Sequence, residues 1–223
     1  MKKKVYAAVL NFRYIILLFS LFGIILAPFI PIEGSMMMVQ TSFIMALLFT
    51  VGVIRKNRFV NYIYRFSFFI IFIIQTVKLF ADIPIGISIL SPLLLSLQFL
   101  LVSFDLYTML RRETLVNLNV IAGAFCGFIM LGIMSFFAFS LIYFFDRAAF
   151  DGIPQQAIGK SYNSLFYYSF VSLLTIGFGD ILPISVMAQR LTIAVSLVGN
   201  FYVVFVMSVL VGRYRGSSST PQR

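Results

Sequence analysis

The 223-residue chain has no tryptophan, no histidine, a single cysteine and only 11% charged residues. Without histidine it has no side chain that titrates near neutral pH unperturbed, and no imidazole to hold a metal. Cys126 cannot form a disulfide within the chain, and inside an apolar run it says nothing about redox compartment. An enzyme acting at membrane depth would need paired carboxylates, histidine or an activated nucleophile there, and none is present. The chain is therefore expected not to be an enzyme and to need no cofactor. What it has in abundance is apolar surface: 61% of its residues are hydrophobic, with 27 Phe and 11 Tyr. A small soluble domain cannot hide that much, so lipid is the expected solvent and an integral membrane protein the expected class.

The net charge of +10 raises the question of nucleic acid. The basic residues, however, fall in four short clusters beside apolar runs, as topology signals do, and no nucleic-acid partner is expected. Six apolar runs reach the roughly 20 residues that a bilayer crossing requires: 14–31, 37–54, 63–81, 84–108, 118–144 and 184–211. The first has no small-residue cleavage site and is followed by further spans, so it reads as a retained span rather than a signal peptide. Of the 17 basic residues, all but Lys78, Arg147, Lys160 and Arg190 fall on one side of a six-span layout. That side is cytoplasmic by the positive-inside rule. The expectation is a multi-pass protein of a cell membrane, plasma or bacterial inner, with both termini cytoplasmic.

Between the fifth and sixth runs the pattern breaks. Asp146 to Lys160 is polar and turn-rich and reads as an extracellular loop. SYNSLFYYSFVSLL follows, too short to span and too apolar for a loop, with Ser161 or Asn163 available to cap its start. A helix that dips in and returns as extended chain is re-entrant. Non-helical backbone at that depth persists only where protein buries it or water lines it, which points to a pore.

Thr175-Ile176-Gly177-Phe178-Gly179 follows that helix directly. A dehydrated cation needs a cage of oxygens, and backbone carbonyls can provide one. Aiming successive carbonyls at one axis requires alternating backbone handedness, and left-handed values are cheap only for glycine, hence Gly177 and Gly179. The Thr175 hydroxyl can add an oxygen at the inner mouth. One chain offers one oxygen per layer, so a full cage implies a symmetric homotetramer.

FYYSFVSLLTIGFGDILP resembles the pore helix, filter and post-filter turn of the tetrameric potassium-channel superfamily. The Phe form of the filter resembles that of two-pore-domain channels, and four helices followed by a pore unit resembles the six-transmembrane plan. The resemblance implies an all-α membrane protein. Its six transmembrane helices would be joined by a re-entrant pore helix and an extended selectivity filter, as a homotetramer around a central pore. It implies a four-helix domain with linker over 1–117 and a pore domain over 118–212, with outer helix 118–144, pore helix 162–174, filter 175–180 and inner helix 184–211. A short cytoplasmic tail over 213–223 completes the plan.

The implied function is passive potassium conduction. Carbonyls of Thr175, Ile176, Gly177 and Phe178 would coordinate K+, with Gly179 completing the filter. Asp180 would brace it through the hydroxyl of Tyr168, which stands where many relatives have Trp. Val171 replaces a buried Glu of some relatives, and Leu174 a Thr, making the inner approach more apolar. Leu174, Asn200, Val203 and Met207 match cavity-lining positions. Gly199 lies 20 residues after Gly179, where relatives carry a hinge glycine; the competing reading is packing against the fifth span, at Gly123-xxx-Gly127.

In voltage-gated relatives the fourth helix carries Arg or Lys every third residue. Here no basic residue lies between Ile83 and Leu110, Pro92 is placed to kink the span, and Asp105 is its one charge. Moving one charge through 100 mV is worth about 2.3 kcal/mol, so weak or no voltage dependence is expected. A non-selective monovalent cation channel and a potassium-transporter subunit remain as alternative readings.

Overall fold

The computed structural model describes residues 13–26, 118–154 and 158–218, together with Tyr62, Phe66, Phe69, Ile70, Ile73, Val77, Leu97, Leu100, Leu101, Ser103, Phe104, Tyr107 and Thr108. These isolated positions are helical, and most are large apolar side chains left exposed. They fall in or beside the expected spans 63–81 and 84–108. The span 37–54, most of domain 1–117, the Pro92 kink and residues 219–223 lie outside the described residues, and so does the count of six spans.

The described elements run α1 (Arg13–Leu26), α2 (Leu118–Phe145), β1 (Phe150–Asp151), α3 (Ile158–Leu173), β2 (Leu182–Pro183) and α4 (Val186–Ser218). The two short strands are an addition to the all-α expectation. Among the described residues, two helices are long and apolar enough to cross a membrane: Val120–Phe145 and Val186–Val206. α2 contains no charged residue over its 28 positions and is apolar on every face, as a helix without a water-facing side must be. α4 continues to Ser218, beyond the apolar limit at 211 and into the expected tail. Arg213 and Arg215 are good helix formers and suit the negative end of the helix dipole.

The chain divides into two compact units, residues 1–127 and 128–223. The expected domain limit at 117/118 precedes α2, whereas this division falls inside it. In the first unit, Tyr14, Leu17 and Leu21 of α1 are buried, as are Val120, Ala122, Ala124 and Cys126 of α2. The Cys126 thiol donates to the Tyr14 carbonyl at 3.5 Å.

The second unit is built around a buried cluster that includes Phe139, Tyr143, Phe150, Leu165, Tyr168, Leu173, Ile181 and Val195, so α2, α3 and α4 share one core. Tyr168 is its centre, with its ring edge-on to Phe139 at 5.0 Å and to Phe150 at 5.4 Å. α2 ends at Phe145, and the carboxylate of the next residue, Asp146, accepts from the Ala148 amide at 3.0 Å and turns the chain. The next residues then pair with the segment after α3: Phe150 lies opposite Pro183 and Asp151 opposite Leu182, antiparallel. The Ala149 carbonyl accepts from both Ile184 (2.8 Å) and Ser185 (3.2 Å). Part of the expected loop 146–160 is thus a pinned strand. Two residues per strand are too few to register as sequence alternation.

α3 begins at Ile158, four residues before the expected start at 162, and ends at Leu173. Ser161 lies inside the helix and donates to the Pro154 carbonyl at 2.7 Å, tying the first turn to the preceding loop.

Candidate functional site

The end of α3 sets the geometry of everything after it. The Thr175 amide donates to the Ser172 carbonyl at 3.1 Å and the Ile176 amide to the Val171 carbonyl at 2.9 Å. This pair of bonds is a Schellman motif, with Thr175 in the left-handed position that closes the helix. Its φ is +55°, and φ is again positive at Gly177 (+59°) and Gly179 (+81°). Left-handed backbone therefore recurs at every second residue across 175–179. The two glycines take it freely. Thr175 does not, because a β-branched residue with positive φ is strained, and the two bonds to α3 hold it there. Sequence reasoning placed left-handed backbone only at the glycines; the helix-capping requirement extends the alternation one step inward.

In this segment Leu174, Ile176 and Phe178 are exposed on the single chain, while Val171 is buried. Beyond it, the Asp180 carboxylate accepts from the Ile181 amide at 3.1 Å. Gly152, also left-handed (φ +81°), lies against the Asp180 carbonyl, where a Cβ would collide with it. The β1–β2 pair thus holds the C-terminal end of the segment as the Schellman motif holds the N-terminal end.

The expected partnership of Tyr168 with Asp180 is absent. Tyr168 Oη lies 2.8 Å from Thr192 Oγ1, and Thr192 itself donates to the Ala188 carbonyl at 2.8 Å. A hydroxyl has one proton, so Tyr168 must be the donor to Thr192 and has none for Asp180. Asp180 acts instead on the neighbouring Tyr167: its carboxylate raises the Tyr167 pKa above the ordinary phenol value, through side-chain hydrogen bonding first, with burial and the carboxylate charge adding to it. Neighbouring helix residues point about 100° apart, so a one-residue difference in alignment sends one tyrosine toward Asp180 and the other into the core.

Gly199 is buried, and its nearest neighbours are the carbonyl and side chain of Leu173, not the fifth span. A Cβ there would run into the Leu173 carbonyl oxygen, so Gly199 is seated against the end of α3. One turn earlier, Ser196 Oγ donates to the Ser172 carbonyl at 2.9 Å. Thr192, Ser196 and Gly199 thus follow one stripe of α4 along the end of α3, and only Gly199 was singled out by sequence. Asn200 and Val203 are exposed on α4; the side chain of Met207 lies outside the described residues.

Among the described residues, no cluster of three or more His, Cys, Asp or Glu could hold a metal ion. The oxygens concentrated here belong to the backbone of 175–179 and to the Thr175 hydroxyl. α3 has no basic residue in its last turn, so the negative end of its dipole is not neutralised by its own side chains. That end suits a cation.

Residues 129–215 match the family model described as "Ion channel", a stretch covering the second half of α2, all of α3, the 175–180 segment and nearly all of α4. No curated protein and no solved structure matches the chain. The matched stretch and the two apolar helices support an ion channel embedded in a membrane.

Proposed function

We propose that the chain is the subunit of a potassium-selective channel in which four copies surround one pore. The observation that carries this reading is the left-handed backbone at Thr175, Gly177 and Gly179, directly after a helix whose last turn carries no basic residue. Alternating handedness is what allows consecutive carbonyls to face one axis, and a ring of such carbonyls replaces the hydration shell of a cation. In this proposal the carbonyls of Thr175, Ile176, Gly177 and Phe178 hold dehydrated K+ in layers, and the Thr175 hydroxyl supplies the innermost oxygen. A single chain contributes one oxygen to each layer, so the cage is complete only with copies related by a four-fold axis. Leu174, Asn200 and Val203, exposed on one chain, line the cavity beneath, and Tyr167 and Asp180 brace the outer mouth. The four helices expected over 1–117 carry no row of charges, so opening responds weakly to voltage.

The test is flux from liposomes containing the purified protein. Potassium release blocked by barium, with little sodium release under a matched gradient, supports the proposal. Equal potassium and sodium flux supports the non-selective alternative. Gly177→Ala, which forces a side chain into left-handed backbone, is expected to abolish the preference for potassium.

A further inference from the structure

We infer that Ser196 is a positioning residue for the entrance to the filter, acting through a single carbonyl that it shares with the first filter amide. The inference rests on the reading of 175–180 as a filter. The Ser172 carbonyl accepts the Thr175 amide at 3.1 Å and the Ser196 hydroxyl at 2.9 Å. Its two lone pairs are therefore divided between the filter and α4. Thr175 is the one residue of the left-handed series that does not adopt that conformation freely, and this carbonyl is half of what keeps it there.

The direction of the Ser196 hydroxyl is informative. Serine and threonine within apolar helices commonly bond the carbonyl four residues back. Ser135 does so to Leu131, and Thr192 to Ala188, both at 2.8 Å. Ser196 instead reaches across to another helix, at the last turn of α3. With Gly199 seated on the Leu173 carbonyl three residues later, α4 cannot slide or rotate without drawing on the Ser172 carbonyl. Displacement of α4 thus weakens the acceptor of the Thr175 amide and loosens the innermost oxygen layer. The inner helix and the filter are joined at this point by two hydrogen bonds in series, with no side chain but that of Ser196 between them.

The experiment compares sodium-to-potassium permeability ratios of wild type, Ser196→Ala, Ser196→Thr and Thr192→Val in liposomes, with tetramer integrity checked by size-exclusion chromatography. Ser196→Ala is expected to raise the ratio by about two- to tenfold, the size of one such hydrogen bond. Ser196→Thr, which keeps the hydroxyl, is expected to restore it. Thr192→Val removes the other side-chain hydrogen bond between the helices without touching the Ser172 carbonyl, and is expected to lower thermal stability while leaving the ratio unchanged. If Ser196→Ala fails to assemble, Ser196→Cys, a weak donor of similar size, takes its place with an intermediate ratio expected. A wild-type ratio in the assembled Ala or Cys variant overturns the inference, as does equal loss in Ala and Thr, which would indicate packing alone. Wild type that passes no potassium overturns the filter reading itself, and this inference with it.

Discussion

α2 and α4 flank the same short helix, but they hold it by different means. α2 meets α3 through rings: Phe136 packs on Phe166 at 5.4 Å, Phe139 on Tyr168 at 5.0 Å, and Gly132 makes room for Phe170. α4 meets it through oxygens and bare backbone, at Thr192–Tyr168, Ser196–Ser172 and Gly199–Leu173. Ring contacts are broad and tolerate small shifts, whereas a hydrogen bond weakens steeply with distance and angle. Under the inference drawn above, the helices have opposite duties: α2 is support, and α4 is the element whose position the end of α3 registers. The burial of the two spans agrees: 39% of α2's apolar window is covered within the chain and only 11% of α4's. Most of α4's apolar window is thus left uncovered by its own chain.

The largest test of this contrast is Phe139→Ala. Phe139 is fully buried in the aromatic core beside Tyr168, and its truncation is expected to cost about 3–5 kcal/mol of stability. If α2 only supports, channels that still assemble keep their ion preference; altered selectivity in them would break the contrast. Next in size is a pair of glycines. Gly199→Ala meets a backbone carbonyl that cannot yield, with an expected loss of about 1–3 kcal/mol and a changed open probability. Gly132→Ala meets the ring of Phe170, which can swing, and the gain in helix propensity, about 1 kcal/mol, offsets most of the crowding. Thermal melts and single-channel records on both variants check this, and equal behaviour would erase the distinction. The smallest effects belong to the two tyrosines. Tyr168→Phe loses one buried hydrogen bond, about 1 kcal/mol in a melt. Tyr167→Phe is expected to leave the melt nearly unchanged and to shorten open bursts, because its hydroxyl serves Asp180. If burst length responds to Tyr168 and not to Tyr167, the assignment of the two hydroxyls is wrong.

How far the sequence could be read depended on how local the cause was. The apolar runs and the glycine spacing report directly on solvent and on backbone handedness, and the order outer helix, short helix, left-handed segment, inner helix was legible from them. Tyr167 was passed over because two adjacent tyrosines differ only by a rotation that depends on the exact phase of α3. Ser196 and Thr192 carry no signal at all, since a hydroxyl in an apolar helix most often serves its own turn. Thr175 reads as a strand-former, and only the closure of α3 explains its positive φ. The β1–β2 pairing joins residues some thirty positions apart through backbone atoms, which leave no mark on side-chain identity.

The two anchors of the 175–180 segment have a kinetic meaning under the proposed function. Six residues are clamped at one end by the amides of Thr175 and Ile176 and at the other by the strand pair and the contact of Gly152 with Asp180. Fixing backbone costs about 1–2 kcal/mol per residue in lost freedom. With both ends tied, that loss occurs once, when the chain folds, rather than each time an ion arrives. Such a segment meets each ion already ordered, and its ion turnover need not wait for the polypeptide to rearrange.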